Sequence, residues 1–408
     1  MMSPMKIKLT ELNSGYKGEK RVARFSQKTR AKIIIAAVLI LSFVTVFLLS
    51  EFGVVPLGAL AAKAVSKVAG DEKNFPIAVN TASTKGIKLI GDNILVLTTE
   101  NFTVYSPSGK EVYSKPHTYA EPAVSVTGKR GVVFDRSGTG FTLITDKKEV
   151  YSGEASKNIL TACFGENDNY ALATYSDSAT TELTVYSKSN EVVFRWQSNY
   201  DRIGAVALSD DGDYAGVAAL GAENGDIYTN IELFGFEYNE PLNTQKISGA
   251  AVVDIMFTGV TELTAISNDG VYKVKKKSDI FEITKQYFPT EFSSYSRNAK
   301  GKYAVALAKY GSANLSEITV FRESGKAQTV IKVKTDISDI YLSNKYLFAL
   351  ASDKILVYNL SGGEVSSVEI NGEAYAMLAT DDFIFIPSLD SISRCYSFAE
   401  KSVDLTKD

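Results

Sequence analysis

Cysteine and histidine are almost missing from this chain of 408 residues, which has two Cys, one His and one Trp. With Cys163 and Cys395 far apart and His117 alone, no Cys/His spacing for a metal can be written. Nor does a single histidine without a cysteine nucleophile or a clustered serine and acid make a catalytic triad. A disulfide is not expected, because the repeats described below place the two cysteines in widely separated units. Long amphipathic helical patterns are also lacking from residue 85 to the end, so that stretch reads as all-β.

What is present begins with an apolar run. Between Ile33 and Ser50 there is no charge, and only Ser42, Thr45 and Ser50 are polar. As a helix this run is about 27 Å long, and apolar chain continues past Glu51, so it suits a bilayer core of roughly 30 Å. Residues 1–32 carry nine Lys and Arg against two Glu, a net +7; the remaining 35 basic and 45 acidic residues leave −10 downstream. The basic cluster borders the run on its N-terminal side only. By the positive-inside rule, 1–32 is a cytoplasmic tail, 33–52 a transmembrane helix with Ile33–Phe52 in the lipid bilayer, and the rest extracytoplasmic. A cleaved signal peptide is the competing reading, but its basic region of about 32 residues and apolar core of about 18 would both be too long. The acidic outer part argues against nucleic acid as a partner.

Residues 53–84 read as a stalk, and 85–408 as one repeating domain. Each unit starts with an alternating strand, a polar turn and a strand of small and aliphatic residues, as in IKLIGDNILVLTTE (87–100), VALSDDGDYAGVAA (206–219) and ISDIYLSNKYLFALAS (337–352). A second, more polar hairpin follows, as in NFTVYSPSGKEVYS (101–114) and KILVYNLSGGEVSSVEI (354–370). Turn positions Asp92, Lys129, Asn167, Asp211, Val260, Lys300, Asn344 and Asp381 are 37, 38, 44, 49, 40, 44 and 37 residues apart. Units of about 40 residues with four strands predict a β-propeller, whose sheets bury both faces only by stacking radially. Eight units predict eight blades, with seven as the alternative. Residues 391–398 and 401–405 are read as the third and fourth strands of the last blade, so no N-terminal strand is assigned to close the ring.

The domain resembles WD40-like and quinoprotein-like propellers in general, without the Gly-His and Trp-Asp dipeptides of WD40 repeats. It is more similar to a family of bacterial membrane-anchored propellers of unknown function. The matching features are the single anchor, Phe75-Pro76-Ile77, RGVVFDRSGTGFTLIT (130–145) and NEVVFRWQSNYDRIGAVALSDDGDYAGVAA (190–219). That resemblance covers most of residues 70–408 and implies no known activity, substrate or catalytic residue.

Four residues are candidates for interaction. Asp135 and Arg136 end a second strand before a glycine-rich loop, as a buried ion pair, a ligand contact or a hydrogen-bonded loop. Arg195 and Trp196 end a fourth strand, as a partner anchor or as packing between blades. His117 reads as a solvated loop residue, Asp210, Asp211 and Asp213 as a hairpin turn, and Lys275–Lys277 as protection of a sheet edge. The inner strands are mostly Ala, Val, Ile, Leu and Ser, with Asp254 and Asp339 as exceptions. No catalytic, cofactor or metal residue is identified. The expected function is a non-enzymatic protein-interaction scaffold or receptor in the cell envelope. The alternative is a small-ligand sensor or enzyme using the central channel.

Overall fold

Strands rich in Ala, Val and Leu, such as Tyr170–Tyr175 (YALATY) and Tyr303–Ala308 (YAVALA), are buried along nearly their whole length. A strand can be apolar on both faces only if something covers both. In the computed structural model, which describes residues 74–278, 280–298, 300–308, 315–396 and 402–405, neighbouring sheets do so. The tail 1–32, the span 33–52 and most of the stalk lie outside the described residues. Among the described residues no helix is long and apolar enough to cross a membrane.

The described residues form eight sheets of four antiparallel strands, one of them extended by a fifth, parallel strand; seven are in sequence order and one takes its outer strand from the start of the chain. Blades 1 to 6 comprise residues 84–116, 122–154, 159–198, 202–248, 252–287 and 291–333; blade 7 is 339–371, and blade 8 takes in 378–396. All eight turn positions named from sequence fall between first and second strands. Eight apolar clusters, one at each junction between blades, hold the ring. At blades 1 and 2, Leu97 and Phe102 meet Val133 and Ile144; at blades 8 and 1, Leu378, Phe385 and Ile392 meet Ile94 and Val96. The ring is therefore closed, with eight blades rather than seven. Fourth strands such as Glu111–Pro116 are mostly exposed and form the outer rim.

Closure departs from the sequence reading. The fourth strand of blade 8 is Ile77–Ala78, from the N-terminal side, paired with the third strand as Ile77↔Ile392 and Ala78↔Ser391. Ser402–Asp404 instead lies parallel to Glu364–Asn371, as a fifth strand on blade 7. The reason is competition for edges: Ile77 already fills the outer edge of blade 8, while Val403 finds cover beside Ile370 and Met377. The ring thus includes residues assigned to the stalk, and its first full blade begins at Thr84 rather than residue 85.

A latch holds this N-terminal strand. The Phe75 ring stacks on Phe385 with centroids 6.1 Å apart, and the Arg394 guanidinium lies 4.7 Å above it. Arg394 also donates to the Pro107 carbonyl at 2.7 Å, tying blade 8 to blade 1. Gly109 sits at φ +80°, and a Cβ there would stand 2.7 Å from the Asn74 carbonyl oxygen. That position needs glycine for its backbone and for the passing chain.

Candidate interaction face

Strand order sets two faces. Turns joining first to second and third to fourth strands lie on one, here the lower face. Turns joining second to third strands, and the crossovers between blades, lie on the upper face. Ile77–Ala78 runs antiparallel to its neighbour and reaches the upper face at Ser391, so the chain comes in from the lower face beside Gly109.

Exposed tyrosines are distributed unevenly between them. Tyr200 (87% exposed), Leu389 (67%) and Tyr375 (50%) lie on upper-face loops and Tyr287 (69%) ends a fourth strand there, with Tyr175, Leu220, Ile227 and Val253 nearby. The lower face has Tyr238, Val260 and Ile280, with Val112, Val150, Val192 and Val365 at the starts of fourth strands beside it. Among the described residues, four of the six exposed tyrosines belong to the upper face, against Tyr238 on the lower face and Tyr151 on the outer rim, which marks the upper face as the candidate. Leu220 and Ile227 flank a hairpin that stands out because its strands, Tyr214–Glu223 and Asp226–Gly235, are ten residues each. Its tip, Asn224-Gly225, has φ values of 54° and 89°, the positive pair that a tight hairpin turn requires.

Between blades 6, 7 and 8 the upper face opens into a cleft of about 500 Å³. The crossovers at 335–338 and 373–375 and the turns at 351–352 and 389 line it. Sequence reasoning missed it because four loops distant in the chain build it. The sequence carried no separate signal for it, because 337–338 and 351–352 are the ends of the repeated hairpin 337–352.

The residues singled out from sequence have other tasks. Asp135 is buried, and its carboxylate accepts the backbone N–H groups of Ala120 and Glu121, both at 2.9 Å, and of Ser137 at 3.2 Å. Burial alone would raise its pKa, but these bonds outweigh burial and hold it below the usual carboxylate range. Arg136 points to solvent, so the two form no buried ion pair; Asp135 fastens a crossover on the upper face. Trp196 is half-buried against Phe234 of blade 4, with centroids 4.7 Å apart, and Arg195 is exposed and paired with Glu182 at 3.3 Å. Trp196 thus packs between blades. The structure does not bring these two pairs together.

His117 is not a solvated residue. Its Nε2–H donates to the Thr98 carbonyl at 3.0 Å, and Nδ1 accepts the Tyr119 N–H at 3.2 Å. The ring stacks on Tyr119. That pattern fits the neutral imidazole, and burial lowers its pKa against the opposing pull of the Thr98 carbonyl and Asp135. The Asp210–Asp213 stretch is a hairpin turn, in which Asp211 accepts from the Asp213 N–H at 3.2 Å. Lys275 and Lys277 pair with Glu262 and Glu282.

On the inner strands, Asp254 is paired with Arg297 at 3.3 Å. Asp339 accepts from Ser294 at 3.0 Å and from the Ile340 and Met377 N–H groups, while burial raises its pKa. Both acids are already engaged. Cys163 is a buried free thiol pushed up to about 12 by burial, and Cys395 is also buried and free of a disulfide. Among the described residues no group of three His, Cys, Asp or Glu is arranged to hold a metal ion.

Eight four-stranded sheets stacked radially and closed last blade on first define a β-propeller. The chain belongs to the DUF5711 family, a family of unknown function, whose model matches residues 72–391. This agrees with the resemblance drawn from sequence. No curated protein matches the sequence. Among solved structures it is similar to Sqt1 of Saccharomyces cerevisiae, at 12% identity over 79% of this chain and 97% of that one, with a TM-score of 0.51. BamB from Moraxella catarrhalis gives 12%, 79%, 100% and 0.48 on the same measures. Kuenenia stuttgartiensis hydrazine synthase gives 12%, 69%, 97% and 0.48. At this identity the likeness to Sqt1 speaks for the fold alone.

Proposed function

We propose that this chain is a single-pass, membrane-anchored, extracytoplasmic propeller that acts as a protein-interaction scaffold or receptor in the cell envelope, without enzymatic activity. The anchor rests on the apolar run Ile33–Phe52 and on the charge split around it. The scaffold role rests on one observation: the exposed tyrosines concentrated on the upper face. Aromatic groups on a rigid frame favour protein contact, because they bury much area at little conformational cost. The alternative, a ligand or a reaction in the central channel, would rest on polar groups of the innermost strands, of which Asp254 and Asp339 are already engaged.

A photo-crosslinking amino acid placed at Tyr200 or Tyr287 tests the scaffold role in intact cells, with Val260 and Ile280 as lower-face controls. The expected result is a discrete adduct with an envelope protein from the upper-face positions only. Equal labelling from both faces, or no adduct from any position, would overturn the reading.

A further inference from the structure

The cleft over blades 6 to 8 has a chemistry that narrows the partner. Among the described residues its charged lining residues are Asp336 and Glu373, both acids and both exposed, and none of the lining residues is basic. Tyr375 and Leu389 add an aromatic ring and an aliphatic wall, 50% and 67% exposed. Ser338 Oγ donates to the Leu350 carbonyl at 3.2 Å, which leaves its lone pairs to accept a further donor. Carboxylates, an aromatic face and hydroxyl acceptors around an apolar wall are what a cationic head on a methylene stem needs.

We propose that this cleft seats a lysine or arginine side chain presented by an extended peptide segment of the partner protein. The proposal rests on the scaffold reading above. A peptide is the occupant because loops of three successive blades line the cleft and its volume is that of a site for several groups, more than one ammonium fills. The net −10 carried downstream of residue 32 also favours the approach of a cationic segment and makes it salt-dependent.

Random dodecapeptides displayed on phage and panned on the full chain test this, with the Asp336→Asn/Glu373→Gln double variant for counter-selection. Both positions are exposed, and an unchanged thermal midpoint verifies that the variant is folded. Peptides that distinguish the two proteins are expected to share a Lys or Arg at one position. Made synthetically, they should bind the double variant about tenfold more weakly, and Tyr375→Leu should weaken them as well. Selected peptides without a shared basic residue, peptides that bind both proteins equally, or no selection at all would overturn the proposal. An upper-face crosslink that persists in the double variant would remove the cleft as the seat while leaving the scaffold reading intact. Loss of that crosslink in the double variant alone would support the cleft.

Discussion

Glu232 sits on a third strand, 7% exposed, beside Asp201, and one of its carboxylate oxygens has no hydrogen-bond partner. Burial first, and the Asp201 charge second, push its pKa up to about 7 against a hydrogen bond from Thr244. Asp201 itself accepts hydrogen bonds from Tyr228 at 2.6 Å and Asn230 at 2.7 Å. The folded protein then keeps a proton that the unfolded chain releases above about pH 4.5. This contribution is fully present below that pH and is lost as pH rises through 7. Replacing Glu232 by Gln should raise stability at pH 8 by up to about 3 kcal/mol and leave it nearly unchanged at pH 4, measured by urea unfolding of both proteins across pH. A lone acid in the alternation Ile231-Glu232-Leu233 has the local pattern of a strand with one solvent-facing side. The structure differs because blades cover a third strand on both sides. Asp135 shows the reverse case: its place before a glycine-rich loop was legible, while its task, fastening Ala120 and Glu121, depends on a crossover that no local pattern reveals.

At the scale of elements, hairpins were legible because each carries its own signal: small aliphatic second strands, and Gly, Asn or Asp at tight turns. Two kinds of element were not. The hairpin at Tyr214–Gly235 runs past its neighbours, and its extension has no counterpart in the other repeats. Ile77–Ala78 is two residues long, too short for any periodicity, and its partner Ile392 is at the other end of the chain. What fixes this strand is mostly side chain rather than ladder. The Arg394 guanidinium lies over Phe75, Phe383 and Tyr396 at 4.7, 5.3 and 5.5 Å. Replacing Arg394 by Met keeps the bulk and removes the cation and the bond to Pro107. The expected loss is about 1–2 kcal/mol in chemical unfolding, with faster proteolytic cutting around Asn74–Thr81. Unchanged cutting there would mean that Ile77 alone holds the strand.

For the whole molecule, the repeat count gave the eight blades, since the unit length is written evenly through the sequence. Faces and clefts were not readable in the same way, because loops from different blades make them. The proposed topology has a direct check. A cysteine in place of exposed Lys326 should react with a membrane-impermeant maleimide on intact cells, and one in place of Ser14 should react only after lysis. Native Cys163 and Cys395 are buried and should stay silent. Labelling in the opposite order would place the propeller on the cytoplasmic side.

Closing blade 8 with a strand from the start of the chain has a consequence for how the molecule comes into being. Ile94 and Val96 in blade 1 have no cover until Phe385 and Ile392 are made, close to 300 residues later. Through most of synthesis the growing chain is an open arc with one greasy end, and its first few ordered residues must wait for the last blade. Such distant pairing is slow compared with local hairpin formation. The newborn protein therefore passes through a stage in which its two ends are sticky towards each other and towards any other copy nearby. Completion of the ring is what ends that exposure.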